Sequence, residues 1–257
     1  MTKLLTIQSD PKTVKGEAYG YITAVMYLAP SDRSGVQLCP FAKQAGCEAT
    51  CLNTAGRGAF HSVQEARLRR SRLLNKAPHI FYAQLKAEIE AFQLKADRLG
   101  LTPVVRLNGT SDIVWETKGV VGNSIFERFP DLQFYDYTKI AKRLSRKLPS
   151  NYHLSLSYSE ANKRFAKACW KAFYERQASM VMVIRDIDSK EAAMQDLAAV
   201  GYNVVDGDKH DLRFLDEPNS LVLLKAKGRA KHETNGFVLG YNDIRRIVDA
   251  AETGEVA

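Results

Sequence analysis

Apolar positions along the chain fall into short runs of strand length, separated by stretches in which they recur at helical spacing. The runs predict strands at Tyr19–Leu28, Thr102–Asn108, Leu132–Lys139, Tyr152–Tyr158, Ser179–Arg185, Tyr202–Asp206 and Leu221–Lys225. Between them, Phe81, Leu85, Ile89, Phe92 and Ala96 form the stripe of a helix around 80–98. Phe165, Ala168, Cys169, Ala172 and Phe173 form that of another around 161–177. Ser62, with Glu65 three residues on, has the form of a capping box opening a further helix. Strands alternating with helices predict a parallel sheet with crossover helices. No linker-like stretch interrupts the pattern, so residues 1–257 read as a single α/β domain. Its last residues, 250–257, read as a fraying tail.

The strands carry a second pattern. A parallel strand buried on both faces is apolar on both, yet here one parity is repeatedly polar. Arg106 and Asn108 alternate with Val105 and Leu107, and His153, Ser155 and Ser157 with Leu154, Leu156 and Tyr158. Gln133, Tyr135, Tyr137 and Lys139 share a parity; Arg185 follows Val181 and Val183, and Lys225 follows Leu223. Helices packed on the apolar faces would leave the polar ones on a common interior. This predicts a partial (β/α)6-type barrel, open because six or seven strands do not close one. Arg106, Asn108, Ser155, Ser157, Arg185 and Lys225 are then expected to face one basic cavity near the C-terminal strand ends. An anionic or zwitterionic small molecule is its expected occupant.

Composition changes this picture little. The chain has 257 residues, 45% hydrophobic and 26% charged, which excludes a disordered or collagen-like chain. No run of about eighteen or more apolar residues is present, so no membrane partner is expected. The N-terminal stretch lacks a signal-peptide h-region, which points to the cytoplasm and to reduced cysteines. The formal charge of +8 favours an anionic partner. Basic residues concentrate in 56–72, with Arg67, Arg69, Arg70 and Arg72, and in 139–147, with Lys142, Arg143, Arg146 and Lys147. Such stretches are either solvated faces or tracks for a phosphate backbone, hence nucleic acid as an expected alternative partner. The chain has no P-loop, HExxH or GxSxG.

Three of the four cysteines lie together, in the order Cys39-x7-Cys47-x3-Cys51, in a loop at 39–51 after the first long strand. Clustered thiols in a reducing compartment suit a soft metal or an iron–sulfur cluster. A structural zinc would need a fourth ligand, for which His61 and Cys169 are available. Cys169 lies on an apolar helical stripe and reads as core. With three thiolates only, a [4Fe–4S] cluster would keep one iron open to an exogenous ligand.

Three cysteines after the first strand, followed by about six β/α units, are similar in layout to radical S-adenosylmethionine proteins, although the usual spacing there is C-x3-C-x2-C. A closer resemblance, over roughly residues 20–240, is to phage-encoded proteins of unknown function of the gene product eighty-eight type. It rests on the cysteine triplet, the stretch from Cys51 to Gly58, the run from Arg106 to Asp112, and the element from Phe134 to Lys139. The first resemblance implies a [4Fe–4S] cluster on Cys39, Cys47 and Cys51, with S-adenosylmethionine on its open iron. The second implies a phage or prophage origin.

Strand C-termini and nearby loops supply the candidate cofactor-binding residues: Asn108, Gly109, Ser111, Asp112, Lys139, Ser157, Arg185 and Lys225. Two functions remain open at this point. One is an iron–sulfur enzyme using S-adenosylmethionine. The other is a nucleic-acid-binding or regulatory protein with a structural cluster or zinc.

Overall fold

The computed structural model describes residues 2–253 apart from Ser9, Lys118, Val121, Gly122 and Gln177. The end of the tail, and the last position of the helix expected over 161–177, lie outside them. Strand β1 (Leu5–Ile7) leads through helix α1 (Pro11–Lys15) to β2 (Tyr21–Met26). A long irregular segment then carries the cysteine loop to α2 (His61–Lys76), α3 (Pro78–Leu99) and β3 (Thr102–Arg106). Next come the short pair β4 (Gly119–Val120) and β5 (Asn123–Ser124), α4 (Ile125–Arg128), β6 (Gln133–Thr138) and β7 (Tyr152–Ser157). The chain continues through α5 (Lys163–Arg176), β8 (Met180–Ile184), α6 (Ile187–Ala199), β9 (Asn203–Asp206) and β10 (Ser220–Lys225). It closes with β11 (Val238–Leu239) and α7 (Tyr241–Thr253).

All seven expected strands form. The helix boundary between α2 and α3 follows from proline. Pro78 takes the first position of α3, where its missing N–H costs nothing, and Ala77 before it is pushed to a non-helical backbone. Gly100, left-handed at φ 65°, ends α3. The expected capping box at Ser62 does not form: α2 begins at His61, with Phe60 as its cap and no side-chain cap bond. In α5, Ala168 is exposed and Trp170 is buried, because the inward face centres on Cys169 and Phe173.

Nine strands form one mostly parallel sheet in the order β1-β2-β3-β6-β7-β8-β10-β9, with β11 also on β8; only β1 runs antiparallel. Among the described residues no pairing joins β9 to β1, so the sheet does not close. From β2 to β8 each new strand joins the outer edge of the last. Right-handed crossovers taken in one direction put every connection on one face. That face carries the core. Ala24, Val105, Phe134, Leu154, Leu156, Met180 and Leu221 share it by register. Phe81, Leu85, Ile89 and Phe92 of α3 cover one half of it, and α5, α6 and α7 cover the other. Each fully buried side chain of that kind contributes roughly 1.5–3 kcal/mol.

The direction then reverses. The chain passes from β8 to the edge strand β9 and returns inward to β10. A right-handed crossover taken backwards has to cross the opposite face. Residues 207–219 do so, with only one short 3-10 turn at Arg213–Leu215. They land on the polar parity of the strands. Leu212 and Phe214 pack on Tyr21, Val104 and Tyr135. Asp211 accepts hydrogen bonds from Arg106 (3.0 Å), Tyr135 (3.0 Å) and Tyr137 (2.9 Å). The polar face is thus real over β3, β6 and β7. A return connector fills it there, in place of an open interior.

Candidate functional site: the cysteine loop and the strand ends beneath it

The cysteine loop is anchored from three sides. Asp112 N–H donates to Leu38 C=O (2.8 Å), Ser159 Oγ to Ala45 C=O (2.8 Å), and Asn235 Nδ2 to Gly46 C=O (2.9 Å). Gly46 is left-handed at φ 67°, and a Cβ there would fall on the Asn235 side chain. Within the loop, Cys47 N–H returns to Ala42 C=O (3.1 Å), and Thr54 Oγ1 donates to Cys51 C=O (2.8 Å). These bonds hold the three thiols at the C-terminal rim of the sheet, beside the ends of β3 and β6.

The thiols of Cys39, Cys47 and Cys51 are partly buried and lie within electrostatic reach of one another. Burial pushes the Cys39 thiol up to about 12, and raises Cys47 and Cys51 as well. Cations face them: Lys139 opposes the rise at Cys47, and Arg67 and Arg33 oppose it at Cys51. Two polar atoms close to Cys51 in this region, Thr50 Oγ1 and Arg67 Nε, are buried with no hydrogen-bond partner in the protein. Cys39 Sγ sits 3.7 Å from Thr110 C=O. Among the described residues, no three His, Cys, Asp or Glu side chains are set to hold a single metal ion. Cys169 is fully buried in the core under α5, as expected from its stripe, and His61 is exposed at the start of α2.

The candidate residues from the sequence divide into two groups. Asn108, Gly109, Ser111, Asp112 and Lys139 gather beneath the cysteine loop, but the polar side chains among them are already engaged within the protein. Asn108 Oδ1 accepts from Ser111 Oγ (2.9 Å), Ile113 N–H (3.0 Å) and Trp115 Nε1 (3.1 Å). Its backbone N–H donates to Asp136 (2.7 Å), a carboxyl that burial pushes up to about 7. Asp112 accepts from Thr138 Oγ1 (2.8 Å), Lys139 N–H (2.7 Å) and Arg143 (3.0 Å). Gly109 leaves no room for a side chain, since a Cβ would meet Tyr27, Val25 and Met26 C=O within 2.8 Å. Its role in the structure is backbone packing. Lys139 donates to Tyr158 C=O (3.0 Å), with its ammonium 4.5 Å from the Phe237 ring centroid; burial lowers its pKa.

Ser157, Arg185 and Lys225 stand apart. Ser157 is half-buried on the second face, and Arg185 donates to Lys231 C=O (3.3 Å) and Glu233 C=O (2.6 Å), pinning the segment before β11. Lys225 lines an open cavity of about 400 Å³ with Lys15, Lys190, Lys209, Lys227 and Lys231. Of the six residues expected to converge, only Lys225 reaches it. The others do not share a cavity, because the return connector occupies Arg106 and the loop after β3 consumes Asn108. The basic stretches divide similarly. Arg67 and Arg143 are buried, Arg67 bonded to Asn53 and Arg143 to Glu116 (2.7 Å), while Arg69 and Arg72 remain exposed. Sequence reasoning missed Asp211, Arg213 and Glu116. The apolar–polar alternation from Asp211 to Phe214 was the one signal for the connector.

No helix among the described residues is long and apolar enough to cross a membrane. No curated protein and no solved structure matches the chain. The family comparison does match, under the description Gene product 88, over residues 2–239, from before β1 to the end of β11. The chain therefore belongs to the Gene product 88 family.

Proposed function

We propose that this chain is an iron–sulfur protein of phage type, in which Cys39, Cys47 and Cys51 hold a [4Fe–4S] cluster. One observation carries this: three thiols of one loop gather at the C-terminal rim of a parallel sheet, electrostatically coupled and faced by Lys139, Arg67 and Arg33. A single zinc draws its ligands onto one point, whereas a four-iron cluster spaces its cysteines more widely. With Cys169 in the core and His61 exposed at the start of α2, the loop offers three thiols, the set that leaves one iron of such a cluster open. Bound, the cluster supplies electron transfer and one iron open to an outside ligand. The chain's part is to gather the thiols in one loop, set three cations against the charge they take on when they release their protons to the cluster, and shield them beneath the anchored loop.

S-adenosylmethionine is the outside ligand proposed for that iron. Its carboxylate would have to meet Lys139 or Arg67, and its amino group backbone carbonyls, because Asn108 and Asp112 are already engaged. Purification without air should give protein with broad visible absorption and iron and sulfide in equal amounts. Cys39→Ala, Cys47→Ala and Cys51→Ala should each lose both, while Cys169→Ala keeps them. Stoichiometric zinc without iron would overturn the cluster and favour a structural metal. Titration of S-adenosylmethionine into reduced protein should shift the electron paramagnetic resonance signal; an unchanged signal removes that ligand and leaves the cluster standing.

A further inference from the structure

The lysine-lined cavity lies at the C-terminal ends of β8, β10 and β9, between Ile187 and Lys190 of α6, Asp206 at the end of β9 with Asp208 beyond it, and Lys225 at the end of β10 with Lys227 beyond it. This is where the winding reverses. The chain leaving β8 turns to the helix face, and the chain leaving β9 turns to the opposite face. Connections departing in opposite directions leave a crevice outside the strand ends, the place where open α/β sheets bind ligands.

Charge defines what fits there. The lining holds six lysines against two aspartates, Asp206 and Asp208. Both aspartates are already used. Lys190, almost fully buried, donates to Asp206 (2.6 Å) and Asp208 (3.1 Å), Lys12 pairs with Asp208 (2.8 Å), and Lys225 N–H donates to Asp208 (2.8 Å). That paired set, with Lys190 buried and both aspartates partly buried, is the floor of the crevice. Above it, the ammonium groups of Lys209, Lys225, Lys227 and Lys231 make no ion pair or hydrogen bond among the described residues, although Lys225 is within electrostatic reach of Asp186. The N-terminus of α6 lies beside the same space, but the carboxylate of its cap, Asp186, already accepts from Ser189 N–H (2.8 Å), so the lysines carry the positive charge of the site. Lysine ammoniums act as point charges that collect a multiply charged anion, where a lone carboxylate would be held better by one arginine fork. The volume of about 400 Å³ suits a small molecule.

We propose that this crevice binds a phosphate-bearing small molecule of the nucleotide class, its phosphates on Lys209, Lys225, Lys227 and Lys231 over the Lys190–Asp206–Asp208 floor. The site stands independently of the metal proposal. It adjoins the cysteine loop nonetheless, since Gly228, next to Lys227, packs against Ala55, four residues after Cys51.

Calorimetric titration of the purified full chain with ADP, inorganic phosphate and a single-stranded oligonucleotide tests this. ADP should bind, and inorganic phosphate should compete with it. Lys225→Gln/Lys227→Gln should weaken ADP at least tenfold with an unchanged thermal midpoint. Lys142→Gln/Lys147→Gln, away from the crevice, should stay within twofold of the parent. Absence of ADP binding, or equal affinity in the crevice variant, would overturn the proposal. So would tight oligonucleotide binding that ADP does not displace, which would assign the basic surface to nucleic acid.

Discussion

Two charged clusters on the same rim of the sheet are built in opposite ways. Beneath the cysteine loop, Arg143 is 2% exposed and fully engaged, with Asp112 at 3.0 Å, Glu116 at 2.7 Å and the Tyr152 hydroxyl at 2.9 Å. At the crevice, four lysines hold their charge in the open above a paired floor. A buried ion survives desolvation only when every lone pair and proton near it is satisfied. An exposed, uncompensated ion loses little by staying solvated and gains most when an opposite charge arrives. The first cluster therefore fixes where the cysteine loop sits, and the second keeps interaction energy in reserve for a ligand.

The sharpest way to break this contrast is Arg143→Met. It strands Asp112 and Glu116 in a buried position and should cost about 4 kcal/mol of unfolding free energy in urea titration. A cost below about 1 kcal/mol would mean that the network is slack and the contrast false. A smaller effect is expected at His153, half-buried under the connector, where burial and then the Arg213 charge lower its pKa to about 4. The unfolded chain takes up this proton near pH 6.5, the folded chain only near pH 4, so stability from a neutral His153 is lost as pH falls across that window. Asp136, raised to about 7, works in the opposite direction and is common to both proteins in the comparison. His153→Gln should therefore flatten the acid limb by about 2 kcal/mol relative to the parent. Parallel limbs would show His153 to be solvated. The smallest effect belongs to the crevice: Lys225→Gln/Lys227→Gln should leave stability within about 0.5 kcal/mol. A larger loss would make those lysines structural.

Strand positions, the α3 stripe and the burial of Cys169 were legible because each depends on local periodicity, and the register confirmed that the polar parities of β3, β6 and β7 share a face. What covers that face was not legible. It depends on the reversed crossover from β9 to β10, a property of strand order that residue spacing does not encode. The same limit applies to Asn108 and Asp112. Their type and position after a strand suit a ligand as well as they suit a buried network, and only Trp115, Thr138 and Arg143 arriving from elsewhere decide between the two. Arg143 reads as one basic residue among neighbours in the stretch from Lys139 to Lys147, because its partners Asp112 and Glu116 come from a different part of the chain.

One edge of β8 is shared. Its first half pairs with β7, through Leu156 opposite Met180 and Ser157 opposite Val181. Its second half pairs with β11, through Val238 opposite Val183 and Leu239 opposite Ile184. The two-residue strand β11 is thus the stopper on an otherwise open row of backbone donors and acceptors flanked by apolar side chains. A nascent chain that has not yet delivered residues 238–239 exposes that row, and so does one cut shortly before them. Unpaired apolar edges recruit other strands. Loss of residues 238–239, themselves buried in the core, would therefore leave β8 with the kind of edge that favours strand-to-strand association.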